Sequence, residues 1–128
     1  MLIKKINVLS LFDGISCGQV ALERAGMDVH AYFASEVDDV AISITHKNYP
    51  NTLQVGDVCN IEVGDYQDID LLIGGSPCQS FSFASSMDGM VTKEKLEITT
   101  LADYLNYKNK GYEFEGQSYL FWEYVRVL

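Results

Sequence analysis

Pro77-Cys78-Gln79 stands directly behind the apolar run Ile69-Asp70-Leu71-Leu72-Ile73-Gly74-Gly75, so a thiol is set at the carboxyl end of a predicted buried strand. Ligands of open α/β sheets bind outside those strand ends, and a cysteine presented there by a Gly-Gly-Ser-Pro turn is a candidate nucleophile. The structural alternative is a small buried hydrophobe, the commonest role of free cysteine. Asp13, Glu36 and Asp57 hold equivalent positions behind three earlier strand-like runs. Each alone reads equally well as a turn or capping residue. Together they form a row of acids suited to a ligand with hydroxyls and amines. Glu36 is placed to accept ribose hydroxyls and Asp57 the exocyclic amine of an adenine. The three fall in the order methionine, ribose, base. The turn Asp13-Gly14-Ile15-Ser16-Cys17-Gly18 lacks the full Gly-x-Gly-x-x-Gly pattern that a pyrophosphate requires. A nucleoside cofactor without phosphate, such as S-adenosylmethionine, therefore fits better than a dinucleotide.

The elements that must position these residues follow from hydrophobic patterning and breakers. Ile6 to Phe12 predicts a first strand ended by Asp13-Gly14, and Ser16 is placed to cap a helix through Val20, Ala21 and Leu22 that stops at Gly26. Val29 to Ala34 predicts a second strand delivering Glu36. Asp38 or Asp39 begins a helix through Ala41, Ile42, Ile44 and Thr45, stopped by Asn48-Tyr49-Pro50. Leu53 to Val55 and Ile69 to Gly75 complete a predicted parallel sheet with right-handed crossovers. Beyond Cys78, residues 80 to about 95 read as a mobile loop with no period. Leu101, Tyr104, Leu105 and Lys108 then share one helical face, belonging either to a solvated connector or to a partner-binding helix. Ser118 to Leu128 reads as a buried helix dense in Leu120, Phe121, Trp122, Tyr124 and Val125. No internal repeat or low-complexity segment occurs.

At 128 residues the chain is expected to be one domain. Its net charge of -9 repels a phosphate backbone, which excludes an independent DNA-binding surface. Cys17, Cys59 and Cys78 are an odd, unpaired set, as in reduced intracellular proteins. With His30 and His46 they show no zinc spacing, so no metal is expected. Lys4-Lys5 precedes an apolar run cut by Asp13-Gly14, which reads as a strand and not as a secretory signal. No stretch reaches membrane-spanning length, and a cytoplasmic location is expected.

Read in order, Leu9-Ser10-Leu11-Phe12-Asp13-Gly14-Ile15, Glu36-Val37-Asp38, Gly56-Asp57-Val58, Gly74-Gly75-Ser76-Pro77-Cys78-Gln79-Ser80-Phe81-Ser82 and Glu115-Gly116-Gln117-Ser118-Tyr119-Leu120-Phe121 resemble the DNA cytosine C5-methyltransferases, in the style of phage or prophage enzymes and restriction-modification systems. The resemblance implies a Rossmann-like S-adenosylmethionine-dependent methyltransferase fold, here a partial parallel sheet with flanking helices. It implies a cofactor loop of Phe12, Asp13, Gly14, Ile15 and Gly18, a ribose ligand in Glu36, adenine packing by Val37, adenine contacts from Asp57 and Val58, and pocket walls from Gly75, Pro77 and Leu120. Cys78 matches the nucleophile that attacks C6 of a flipped cytosine. Gln79 and Ser80 match the start of a catalytic loop closing over DNA, where Ser82 and Ser85 could touch phosphate. A free thiol with a pKa of ~8.5 is mostly protonated at neutral pH, so this chemistry needs a stabilised thiolate.

The family's later motifs are not found in these residues: the Glu-Asn-Val segment that holds the cytosine N3 edge, the Gln-x-Arg-x-Arg strand, the target-recognition region and the closing C-terminal segment. The chain is therefore expected to be the N-terminal portion of such an enzyme, weak or inactive alone. It should engage DNA only with the missing half or a complementing chain. Its uncovered sheet edge suits self-association, with residues 118 to 128 as the contact surface. The alternative is a degenerate, non-catalytic protein that keeps cofactor binding or a protein-interaction role. A cysteine enzyme using His30 or His46 as base is disfavoured. His30 enters strand two at the end opposite the ligand edge, and His46 lies in a helix.

Overall fold

The computed structural model describes residues 4–78 and 90–128. The chain divides into two compact units, Met1–Gly75 and Ser76–Leu128. In the first, β1 (Ile6–Leu11), β2 (Val29–Ser35), β3 (Leu53–Gln54) and β4 (Leu71–Gly74) form one parallel sheet in the order β3-β2-β1-β4. Central β1 buries Val8, Leu9, Ser10 and Leu11 in succession. That explains its unbroken apolar run: a parallel strand flanked on both edges and covered on both faces has no solvent side to alternate with. Leu9 pairs with Phe33 on one side and Leu72 on the other. The connections run outward from β1 through β2 to β3, and β4 then returns to the opposite side of β1. The sheet's direction of winding therefore reverses between β1 and β4.

Helix α1 (Cys17–Arg24) covers the core of Val8, Leu22, Tyr32 and Ala34, with Ile6, Val29, Leu71 and Ile73 packed against it. Gly26 ends the helix as its sequence predicts. At φ 70° its N–H donates to the Glu23 carbonyl, and the Met27 N–H donates to the Leu22 carbonyl. This is the paired closure that a left-handed glycine permits. Ser16 does not cap α1. It sits at φ 65° with no side-chain cap bond, because its hydroxyl donates instead to Asp13. Helix α2 (Asp39–Asn48) is capped by Asp38, whose carboxylate accepts from the Val40 and Ala41 N–H groups. Short 3-10 turns at Val58–Asn60 and Val63–Tyr66 lead to β4. β4 begins two residues later than its apolar run because Asp70 spends its carboxylate on the Asn7 N–H and the Lys4 ammonium.

In the second unit, α3 (Leu101–Asn109) opens with a reciprocal cap. The Asp103 N–H donates to Thr100, and the Thr100 N–H donates back to the Asp103 carboxylate. Helix α4 (Leu120–Val127) packs against it through Ile98, Tyr104 and Trp122. The stripe Leu101, Tyr104, Leu105 is thus consumed by the unit's own core. Trp122 and Val127 are buried while Phe121 and Leu128 stay exposed. Glu123 is fully buried and accepts from the Tyr104 hydroxyl (2.6 Å), Lys108 and Arg126 (2.6 Å). Burial opposes its ionisation, yet the three donors hold its carboxyl below the ordinary value. Of the stretch read as a mobile loop, Ser80 to Gly89 lies outside the described residues, as does Gln79 before it. Val91 pairs antiparallel with Glu97, and Thr92 with Phe114. Among the described residues no helix is long and apolar enough to cross a membrane.

Candidate functional site

Because β1 to β4 are parallel, the residues that follow them gather at one edge of the sheet. The strand order places them there as Asp57, Glu36, Asp13 and Gly75, with Asp13 and Gly75 on either side of the point where the winding reverses. That crevice is where open α/β sheets bind ligands.

Glu36 is the tie of this edge. Its Oε2 accepts from the Gly14 N–H at 2.7 Å, and its Oε1 accepts from the N–H groups of Val37 at 2.8 Å and Asp38 at 3.0 Å. One carboxylate thereby joins the β1 exit loop to the start of α2. A carboxylate offers about four acceptor positions, so three backbone donors leave room for roughly one ligand hydroxyl. The row of acids suggests Glu36 as a ribose acceptor, but its second task, bracing the loop, is visible only in the fold.

The loop it braces is conformationally costly. Phe12 (φ 54°), Gly14 (φ 60°) and Ser16 (φ 65°) alternate through the left-handed region, which L-residues other than glycine enter at a cost of order 1–3 kcal/mol when bulky. The cost is offset by local bonds. The Asp13 N–H donates to the Ser35 carbonyl at 3.1 Å and the Ser16 N–H to the Asp13 carbonyl at 3.1 Å. Asp13 itself accepts from the Tyr32 hydroxyl at 2.7 Å and from Ser16. Burial, reinforced by the Asp13 carboxylate, pushes the Tyr32 phenol well above its ordinary pKa, so it is a fixed donor at any physiological pH.

Gly18 has a packing reason. A Cβ there would lie 2.6 Å from the Tyr32 hydroxyl and 2.7 Å from Ile73, so only glycine lets α1 approach the sheet this closely. Asp57 caps the turn Val58–Asn60, accepting from the Cys59 N–H at 2.9 Å, and remains exposed. Val58 is buried, whereas Val37 and Ile15 are 68% and 50% exposed. Phe12 is half-buried, and Cys78 is exposed. Cys78, Pro77 and Leu120 belong to the second unit, while Gln79, Ser80, Ser82 and Ser85 lie outside the described residues. Tyr32, Gln19 and Thr52 escaped the sequence reading. The one available signal was a tyrosine at an inward position of β2, a core residue by pattern.

The residues present fit a phosphate-free nucleoside. The strand-end turns carry Asp13, Glu36, Asp38 and Asp57 and no Lys or Arg, and the N–H groups of Gly14, Val37 and Asp38 are already spent on Glu36. A parallel sheet with a reversal beside β1, a glycine-bearing loop into α1 and an acid behind β2 define a Rossmann-like fold of the methyltransferase kind.

The C-5 cytosine-specific DNA methylase family profile matches residues 6–128, and the chain belongs to that family. It is similar to the type II methyltransferase M.NgoBV of Neisseria gonorrhoeae, with 36% identity over 90 residues that cover 67% of this chain and 21% of the relative. It is also similar to the orphan methyltransferase M.Rho11sI of Bacillus phage rho11s, with 40% identity over 87 residues covering 66% and 17%. The chain thus spans about a fifth of the length of these relatives. Among solved structures, the Dnmt2 methyltransferase of S. pombe aligns with a TM-score of 0.52 and 24% identity over 59% of this chain and 25% of that one, a likeness of fold.

Proposed function

We propose that this chain is the cofactor-binding and nucleophile-bearing portion of a DNA cytosine C5-methyltransferase. The observation that carries the reading is Glu36, a carboxylate at the end of β2 that braces the β1 exit loop through Gly14 while keeping acceptor capacity for a ribose. Phe12, Asp13, Gly14, Ile15, Gly18, Val37, Asp57, Val58, Gly75, Pro77 and Leu120 serve the same ligand on this reading. S-adenosylmethionine supplies an electrophilic methyl group. Cys78 attacks C6 of an extrahelical cytosine as thiolate, and C5 becomes the nucleophilic carbon of an enamine. After methyl transfer the C5 proton leaves and the C6–S bond breaks, returning the thiol. DNA is the partner only together with further residues or a complementing chain, since this stretch is acidic. The setting is the cytoplasm of a bacterial or phage-infected cell, and self-association is available to the chain.

Calorimetric titration with S-adenosylmethionine tests the cofactor half. Saturable binding is expected, weakened at least about tenfold by Glu36→Ala through loss of a charge-assisted hydrogen bond and of the loop brace. Equal binding by both proteins would remove Glu36 from the site. The catalytic half is tested by methyl transfer to duplex DNA with the remaining part of a phage relative supplied as a separate polypeptide. Cys78→Ser should abolish that activity.

A further inference from the structure

Asp13 is the end of a hydrogen-bond relay that no strand-end motif contains. The Gln19 amide donates both its protons, to Ser16 Oγ at 3.1 Å and to Thr52 Oγ1 at 2.7 Å. The Thr52 hydroxyl donates to the Tyr49 carbonyl at 2.8 Å, and the Ser16 hydroxyl donates to Asp13 Oδ2. Tyr32 donates to the other oxygen, Asp13 Oδ1, at 2.7 Å. Ser16, Thr52 and Tyr32 are all buried, at 0%, 6% and 4% exposure. Every proton in the relay is committed, and Asp13 receives from both sides.

Two neutral hydroxyls orient a carboxylate without cancelling its charge. Among the described residues no Lys or Arg pairs with Asp13. It is a carboxylate held by two hydroxyls with no cationic partner among the described residues, next to the sheet's winding reversal, and its charge suits a ligand's cationic amine. Tyr32 is buried in the core with Val8, Leu22 and Ala34, and its hydroxyl proton goes to Asp13.

We propose that Tyr32 is a positioning residue for the amino-acid end of the cofactor, acting only by holding Asp13. The inference rests on the cofactor reading above and adds to it a residue and a direction of action. It differs from a packing role in one measurable respect: the effect must follow the ligand's amine. S-adenosylmethionine carries that amine, and 5′-methylthioadenosine keeps the nucleoside and sulfur but lacks it.

Titrating the 128-residue chain with each compound tests this directly. Tyr32→Phe, which keeps the ring and its packing, should weaken S-adenosylmethionine binding about tenfold and leave 5′-methylthioadenosine within about twofold. In an Asp13→Asn background the same substitution should cause no further loss, because the carboxylate it serves is gone. Ser16→Ala, which removes the second donor, should show the same ligand dependence. Tyr49→Phe, which deletes a phenol bonded to Glu23, is the control and should change neither affinity. Equal weakening of both ligands by Tyr32→Phe, or additive losses with Asp13→Asn, would make Tyr32 a structural residue and overturn the proposal. No change for either ligand would overturn it as well. If wild-type protein binds neither compound, the cofactor reading itself fails and this inference falls with it.

Discussion

Glu123→Ala is expected to destabilise the second unit by about 3 kcal/mol, a large part of what a small unit has. The carboxylate is fully buried and is the shared acceptor of Tyr104, Lys108 and Arg126, so its removal takes one partner from each of three donors and leaves a cavity between α3 and α4. Lys108 is 37% exposed and can turn to water, which keeps the cost below that of a wholly enclosed ion cluster. Trp122 is the chain's sole tryptophan and sits in the same core, so its fluorescence during urea unfolding reports this event. A loss under about 1 kcal/mol would show that the cluster contributes no more than a surface pair. By contrast, removing the exposed Lys93–Glu113 pair should leave the unfolding curve essentially unchanged, because solvent screens it.

The same residue sets a pH dependence. Its carboxyl is lower in the folded protein than the ordinary 4.5. A depressed carboxyl stabilises the fold fully above its unfolded value, and that contribution disappears as pH falls through the folded value. Wild-type protein should therefore lose stability steadily below pH 4.5, whereas Glu123→Gln should lack that part of the decline. Parallel acid profiles for the two proteins would contradict the assignment.

Gly74→Ala carries the second large effect, about 3 kcal/mol or more, on the first unit. Gly74 pairs with Leu11 at the end of β4, at φ 155°, and a Cβ there would stand 2.3 Å from the Leu11 carbonyl oxygen. Backbone cannot move aside as a flexible side chain can, so the strand pair must separate at the place where β4 leads toward Cys78. Circular dichroism during urea unfolding should show the loss. Gly64→Ala, where an added Cβ meets nothing within 4 Å, should stay within about 0.5 kcal/mol and calibrates the measurement. A mild effect at Gly74 would mean that the β1–β4 spacing relaxes easily.

These two sites show what kind of information was legible beforehand. The runs Ile6 to Phe12 and Ile69 to Gly75 announced parallel strands; central β1 is buried and needs no polar alternation, whereas β4, expected to be buried, lies at the sheet's edge and is only half-buried. Gly26 announced the end of α1, and Asp38 the start of α2, because both terminate helices through bonds to residues within one turn. Ser16 obeyed the same local rule in sequence and broke it in space. Its hydroxyl was drawn to Asp13, a partner that the left-handed turn brings close. By its sequence the greasy face of α3 suits either a solvated connector or a partner-binding helix. Which of these it was depended on α4, sixteen residues further on and folded back against Tyr104.

Sequence alone established the family, the parallel class of the sheet and the acids behind its strands, since those depend on residue type, short spacing and local breakers. Only tertiary structure could decide the order β3-β2-β1-β4, the bracing of Gly14 by Glu36 across 22 residues, and the delivery of a core tyrosine to Asp13. Each of these joins groups far apart along the chain, and their distance is set by how strands are stacked, which no local pattern encodes.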